Sequence, residues 1–413
     1  MGGVSRRAFA VAALSAFTMA PAASAAPVSA SEPPVRRAAA GMRGMWLATV
    51  AGRDWPTRAG LGAAEQRAEL VEHLDNAVRH RLNTVFLQVR PTADALWPSP
   101  YEPWSQYLSG SQGRDPGWDP LGTAVEEAHA RGLELHAWFN PYRVSLHDDP
   151  SHLVPAHPAR KHPEWVVPYG GKLYYNPGLP EVRAFVQDAM LDAVEKYAVD
   201  GVHFDDYFYP YPVTGESFDD GVAFSTFGAG FGSRADWRRD NIDRLVRETA
   251  ARVRKVRPSA RFGVSPFGVW RNAATDERGS DTRAGVQTYD DLYADTRKWV
   301  REGWLDYVVP QLYWSIGQNG ADYAKLLPWW AEVAEGSRTQ LYVGEALYKA
   351  GDQAQPAAWQ DPAELSRHLT LAARYPQVRG HVFFSAKDVA EDQGGAMARL
   401  TADHYTLPAT APR

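Results

Sequence analysis

Cysteine is absent from all 413 residues. The chain can therefore form no disulfide, bind no zinc through thiolates and use no thiol nucleophile. An excess of one charge is lacking too: 44 Lys and Arg stand against 49 Asp and Glu, a formal net charge of −5. No basic patch is large enough to suit a phosphate backbone, so nucleic acid is not expected as a partner. Apart from a short run near the N-terminus, no segment is apolar for long enough to span a bilayer. A Gly-rich phosphate turn after an early strand is also missing, which argues against a doubly wound nucleotide-binding sheet. His136 and His203 fall within strand patterns, but no third His has matching placement. No metal and no cofactor are expected on that count.

The N-terminus reads as a targeting segment. Ser5-Arg6-Arg7-Ala8-Phe9 is a twin-arginine signature, followed by apolar Ala10 to Ala20 and by small residues around Ala23-Ser24-Ala25. That order is an export signal with a cleavage site near Ala25, Ala30 being the other choice. The route carries proteins already folded, which fits a chain without disulfides. Residues 1–25 are read as the signal, 26–40 as a flexible lead-in rich in Ala, Pro and Ser, 41–405 as one domain and 406–413 as a tail. A secreted or cell-envelope location follows, with no integral membrane segment after cleavage, and the mature chain is expected to be a monomer. Aromatic residues make up 12% of the sequence, with 15 Trp. Many lie beside strand ends, where sugar rings stack their C–H faces, although some Trp must simply fill the core.

Short apolar runs bounded by turn signals alternate with helical patterns. The runs are Gly44–Val50, Thr84–Val89, Leu133–Phe139, Gly201–Phe204, Arg261–Ser265, Tyr307–Leu312, Gln340–Gly344 and Gly380–Ser385. Helical patterns follow each of them, among them Ala63–Arg81, Pro180–Tyr197, Arg234–Arg257 and Asp290–Glu302. Eight strand–helix repeats predict a parallel (β/α)8 TIM barrel. The connections that precede strands are short and those that follow them are long. The extra length therefore sits on the face where this fold carries its active site.

Reading just past the strand ends gives Trp46, Gln88 and Arg90, then Asn140, Tyr142 and Arg143, then Asp205, Asp206 and Tyr207. Ser265 and Trp270, Gln311, Tyr313 and Trp314, Glu345, and Ser385 with Lys387 complete the set. The strongest local signal is Asp200-Gly201-Val202-His203-Phe204-Asp205-Asp206-Tyr207. Two carboxylates close a buried strand, and burying charge costs several kcal/mol unless it is paired or used. Strand alternation puts His203 and Asp205 on the same, inward side, with a bend needed to bring Asp206 in as well. Glycosidic cleavage commonly needs two carboxyl groups. Glu345 is the distant candidate for the second and Asp94 a weaker one. A 2-acetamido sugar could instead supply its own nucleophile, and an adjacent acid pair would suit that arrangement.

The stretches Met42-Arg43-Gly44-Met45-Trp46-Leu47, Asn83 through Arg90, Ala137 through Arg143, Gly201 through Pro210 and Pro310-Gln311-Leu312-Tyr313-Trp314 together resemble the glycosyl-hydrolase-like ten family of bacterial envelope proteins. The resemblance runs from about Gly41 to Lys387. It implies a barrel related to α-amylase-like and α-galactosidase-like hydrolases, and a member that cleaves peptidoglycan glycan strands stripped of their peptides. It also places Asp205 where such relatives carry the strand-four acid. Their second acid often follows strand five, but here that region reads Ser265-Pro266-Phe267-Gly268-Val269-Trp270, with no carboxylate. Glu345 and Asp206 are therefore ranked together as the second acid. The expected function is an exported glycoside hydrolase acting on a cell-wall or extracellular polysaccharide, with peptide-free peptidoglycan glycan favoured. Arg90, Asn140, Arg143, Gln311 and Tyr313 would bind hydroxyl, acetamide or lactyl groups, and Trp46, Trp270 and Trp314 would stack on rings. Gln88, Tyr142, His203 and Tyr207 are further expected binding positions. The alternatives are a non-catalytic glycan-binding barrel and metal-assisted deacetylation.

Overall fold

Eight parallel strands close on themselves in the computed structural model, which describes residues 41–410. The expected export signal and lead-in lie outside the described residues. The strands are β1 Met42–Leu47, β2 Thr84–Arg90, β3 Glu134–Phe139, β4 Gly201–Phe204, β5 Arg261–Val264, β6 Tyr307–Val308, β7 Gln340–Glu345 and β8 Val378–Phe384. Each pairs with its sequence neighbours, and β8 pairs back onto β1 through Met42 opposite Gly380 to Trp46 opposite Phe384. The principal helices are α1 Ala63–Arg79, α2 Pro120–Ala130, α3 Pro180–Lys196, α4 Arg234–Val256, α5 Thr296–Arg301, α6 Tyr323–Ala334, α7 Glu364–Ala372 and α8 Ala396–His404. Their starts carry local signals: Asp119 caps α2 ahead of Pro120, and Ser233 and Asp322 cap α4 and α6. Among the described residues no helix is long and apolar enough to cross a membrane.

Alternation along each strand divides the core in two. Outward residues such as Leu47, Val85, Leu87, Phe204 and Val264 pack under the helices, whereas Met42, Trp46, Phe86, Trp138, Tyr307, Tyr342 and Val382 form a separate inner cluster. The interior is thus filled by rings, where barrels of this kind more often use branched aliphatics. Room for those rings comes from bare Cα atoms. A Cβ on Gly201 would stand far inside van der Waals contact with the His136 ring, and one on Gly263 equally far inside contact with the Tyr307 ring.

The inner rings are also joined by hydrogen bonds. Trp46 Nε1 can only donate, and it reaches His203 Nε2 at 3.2 Å, so that nitrogen accepts. Ser265 Oγ lies 2.9 Å from the same nitrogen. The His203 proton is thereby assigned to Nδ1, which donates to Tyr307 Oη at 3.2 Å. Tyr307 Oη in turn donates to His136 Nδ1 at 2.8 Å, and His136 Nε2–H faces Glu134 Oε2 at 3.3 Å. Burial holds both histidines well below their ordinary pKa, so they are neutral, as this directional chain requires.

Three local readings are corrected. The sixth run forms a ladder only over Tyr307–Val308; Pro310 has no N–H to give, and pairing resumes as isolated bridges at Gln311. The single helix expected over Asp290–Glu302 is two, Thr288–Asp291 and Thr296–Arg301. Tyr293 between them has φ +53, and Asp295 caps the second by accepting from Lys298 N. The loop expected over 140–175 contains a small antiparallel sheet of Arg143–Ser145, Lys172–Tyr175 and Val166–Tyr169. The tail also has partners: Asn83 Nδ2 donates to Thr410 O at 2.9 Å.

Gly263→Ala is expected to cost about 1–3 kcal/mol by overpacking the Tyr307 ring. Chemical denaturation monitored by tryptophan fluorescence would measure the loss.

Candidate active site

A cleft of about 260 Å³ opens at the C-terminal ends of the strands. All eight strands or the loops just beyond them reach it: Trp46, Gln88, Trp138, Asp205, Ser265, Gln311, Tyr348 and Phe384 come from β1 to β8 in turn. Asp206, Tyr207, Arg143, Tyr313 and Arg53 complete its working surface.

Strand β4 ends at Phe204, and the bend beyond it lets both following carboxyls face the cleft. Asp205 Oδ2 accepts from Trp138 Nε1 at 3.2 Å and from Asn140 Nδ2, and its Oδ1 accepts from the backbone N–H of Tyr207 at 3.1 Å. The orientation of Asn140 is itself imposed. Thr49 and Val50 each donate a backbone N–H to Gln88 Oε1 at 2.9 Å, which turns Gln88 Nε2 towards Asn140 Oδ1 at 2.6 Å. Asn140 therefore presents its NH2 to Asp205. Asp206 accepts from Tyr211 Oη and from Gln311 Nε2, the latter at 3.1 Å.

Burial pushes the Asp205 carboxyl up to about 7, with the neighbouring charge of Asp206 adding to the rise and Arg143 opposing it. Burial raises Asp206 as well, against the hydrogen bonds from Tyr211 and Gln311. Two like charges this close do not both ionise readily, so the pair retains a proton to higher pH than an ordinary aspartate does. Arg143 is the cation beside them. Its Nε donates to Pro91 O at 3.0 Å, its guanidinium lies 5.2 Å from the Tyr207 ring centroid, and its buried Nη2 has no hydrogen-bond partner among the described residues.

Eight of the expected residues thus meet in one place: Trp46, Gln88, Arg143, Asp205, Asp206, Tyr207, Gln311 and Tyr313. His203 and Asn140 lie immediately behind it, supporting Ser265 and Asp205. Other expectations are corrected. Glu345 ends β7 on the outward side, wholly buried under α6 and α7. It accepts from Tyr323 Oη at 2.9 Å and pairs with His368 Nδ1 at 2.8 Å and His381 Nδ1 at 2.9 Å. Burial alone would raise its pKa, but the two imidazoles more than offset that and hold it below the usual range. Glu345 is therefore an anchor of the helix layer and does not reach the cleft. Arg90 is equally inaccessible: its Nε pairs with Glu102 at 2.6 Å, and its Nη1 donates to Pro141 O at 3.0 Å. Tyr142 is fully buried in the core. Trp270 is buried against Trp329, with Nε1 on Asp295 Oδ1 at 2.9 Å, and Trp314 packs edge-on to Phe267 beside the cleft. Asp94 is buried, with Oδ1 on Thr92 N at 2.9 Å, and lies outside the cleft.

Trp138, Arg53, Tyr348 and Phe384 were not anticipated. Trp138 shares the inward side of β3 with His136, and Phe384 that of β8 with Val382, so strand alternation carried the signal for both. Arg53 and Tyr348 lie in loops, where no period applies. The Arg53 guanidinium sits 4.6 Å from the Phe384 ring centroid. Asp54 is a further unexpected acid, raised by burial to about 6. It does not line the cleft: its Oδ2 accepts from Ala48 N at 2.7 Å and its Oδ1 from Ser385 Oγ at 2.6 Å. Among the described residues, no three His, Asp or Glu side chains gather to hold a metal ion.

With this geometry in place, similarity to known proteins becomes informative. The glycosyl hydrolase-like 10 family matches residues 41–361. The chain belongs to that family. It is 47% identical over 374 residues to the glycosyl hydrolase YngK of Bacillus subtilis strain 168, covering 90% of this chain and 73% of that protein. It is 40% identical over 380 residues to the glycosyl hydrolase DigH of Escherichia coli K12, covering 87% of this chain and 86% of that one. Glycoside hydrolysis, the enzyme class expected from the sequence, is the class these homologues are named for. The glycoside hydrolase domain of PgaB (BpsB) from Bordetella bronchiseptica superposes with a TM-score of 0.56 at 13% identity, over 87% of this chain and 98% of that domain. At that identity the likeness speaks for the barrel alone.

Two outcomes are expected for this family member. An ordinary aspartate ionises near pH 4, whereas Asp205 ionises at about 7. The folded state therefore keeps a proton that the unfolded chain has lost, and stability falls as pH rises from about 4 to about 7. Asp205→Asn should flatten that slope, which melting temperatures of both proteins across the window would show. Glu345→Gln breaks a buried ion pair and is expected to cost about 3–5 kcal/mol. At a temperature where the variant stays folded, its kcat/KM should remain within a fewfold of wild type.

Proposed function

We propose that this chain is an exported cell-envelope glycoside hydrolase that cleaves peptide-free peptidoglycan glycan strands, with Asp205 and Asp206 as its catalytic carboxyls. The observation that carries the reading is the carboxyl pair itself. It is buried at the end of β4, oriented by five hydrogen-bond donors and open to a cleft walled by Trp46, Trp138, Tyr207, Tyr313, Tyr348 and Phe384. Aromatic faces of this kind suit the apolar C–H faces of pyranose rings. A carboxyl that still holds its proton near neutral pH can protonate a leaving oxygen.

The preference for peptide-free strands is supported by Arg143. Removal of the stem peptide leaves a free carboxylate on each lactyl group. Arg143 lines the cleft beside the acid pair, and its guanidinium is a matching cation. Export through the twin-arginine route belongs to the same proposal, because the substrate lies outside the cytoplasm. Its support is Ser5-Arg6-Arg7 and the apolar run behind it.

Mass spectrometry of products from purified peptide-free strands tests the proposal. Wild type should release oligosaccharides. Asp205→Asn and Asp206→Asn should each lower kcat by about 10²–10⁴-fold. Arg143→Gln should raise KM by about tenfold or more on strands with free lactyl carboxylates, and much less on strands whose carboxylates have been amidated. Unchanged turnover in Asp205→Asn would remove the assignment. Replacing Arg6 and Arg7 by Lys should retain the protein in the cytoplasm, as fractionation would show.

A further inference from the structure

Hydrolysis by two separate carboxyls requires one on each side of the anomeric carbon, roughly 5–5.5 Å apart for retention or about 6.5–9.5 Å for inversion. The cleft does not offer that arrangement. Its two carboxyls come from consecutive residues beyond one strand. The rest of the lining includes Trp46, Tyr313, Tyr348 and Phe384, and no other carboxylate lines the cleft among the described residues. The three places from which a second acid could come are all closed. At the end of β5 stands Ser265, whose hydroxyl faces His203 Nε2 at 2.9 Å. At the end of β7, Glu345 is turned outward onto His368 and His381. Beyond β1, Asp54 is 2% exposed and does not line the cleft.

We infer that the missing second carboxyl is supplied by the substrate: the sugar cleaved here carries a 2-acetamido group whose carbonyl oxygen attacks its own anomeric carbon, with Asp205 and Asp206 acting as a pair on one side. The inference rests on the hydrolase reading above and narrows it to 2-acetamido-2-deoxy sugars. In the first step the acetamide oxygen forms a bond to C1. The bond from C1 to the glycosidic oxygen breaks, and its electron pair goes to that oxygen, which takes the proton held by the carboxyl pair. The ionised member of the pair accepts a hydrogen bond from the acetamide N–H and offsets the positive charge on the resulting oxazolinium ring. In the second step water attacks C1 and gives its proton back to the pair. The ring C1–O bond opens and its electrons return to the acetamide oxygen. The net change is the addition of one water with retained configuration at C1, and no sugar is ever bonded to the protein.

The neighbouring side chains fit this division of labour. Trp138, Asn140 and Tyr207 present only N–H donors to Asp205, while Tyr211 and Gln311 hold Asp206. These donors stabilise the second negative charge that the pair carries, beside the positive oxazolinium ring, between the departure of its proton and the return of one from water.

The experiment uses the mature full-length enzyme on three substrates: peptide-free glycan strands, the same strands after chemical N-deacetylation, and the deacetylated strands re-N-acetylated. The expected result is a more than 100-fold fall in product formation on deacetylation, restored by re-acetylation, with the configuration at C1 retained when products are read by NMR before mutarotation. Equal cleavage of the deacetylated strands overturns the inference but leaves the hydrolase reading standing. So does an inverted product, or a sugar–protein adduct in the mass spectrum of quenched turnover. Failure of the wild-type enzyme to cleave the N-acetylated strands overturns both. Because the protein is unaltered in every arm, no outcome can be traced to misfolding.

Discussion

The structure depends most on the chain of hydrogen bonds that runs up the barrel axis from Glu134 through His136, Tyr307 and His203 to Ser265 and Trp46. A barrel interior filled with polar rings would be costly if any donor or acceptor were left over. Here each ring nitrogen and hydroxyl has a partner, and the fixed donor on Trp46 sets the direction of the whole chain. The upper end of that chain is the floor of the cleft. Constraints at the base of the barrel are therefore connected, one side chain at a time, to the surface on which a substrate would rest. The bare Cα atoms of Gly201 and Gly263 make this packing sterically possible.

Above the floor, a second network decides how the acids behave. Two carboxyls are nearly as buried as the core around them, at 5% and 7% exposure, and burial favours the protonated form of both. Five donors and the nearby Arg143 oppose that tendency. The balance leaves the Asp205 carboxyl raised to about 7, the range in which a carboxyl can serve acid–base chemistry near neutrality. Asn140 shows how far back such control reaches. Its amide is turned by Gln88, and Gln88 is turned by the backbone of the loop after β1.

The same barrel also shows how polar residues at strand ends can serve the scaffold instead of the site. Glu345, Arg90 and Trp270 occupy the positions where this fold usually places functional groups, yet each is committed to a neighbour in the helix or loop layer. Their burial is satisfied by partners in other elements, 12 to 36 residues along the chain: His368 and His381 for Glu345, Glu102 for Arg90, Asp295 for Trp270. A strand end is a necessary address for a site residue in this fold, but it is not a sufficient one.

Much of this was legible in the sequence, because much of it is local. The eight strands and most of the helices announce themselves by hydrophobic period and by capping residues, and order along the chain then requires a parallel barrel. The Asp205–Asp206 pair was visible as charge at the end of a buried run, and Trp138 and Phe384 lay on inward-facing registers that could have been counted. The Gly-Gly turn between Val166–Tyr169 and Lys172–Tyr175 was an equally readable hairpin signal. What the sequence could not decide is which way each polar side chain at a strand end turns. That depends on hydrogen-bond and ion-pair partners brought together across the fold, from 12 residues away for Arg90 with Glu102 to 105 for Asp206 with Gln311. Residue pattern thus determined the scaffold and the location of the acids. Only the closed fold, by choosing partners in three dimensions, determined which carboxyls face the cleft and which are spent holding the barrel together.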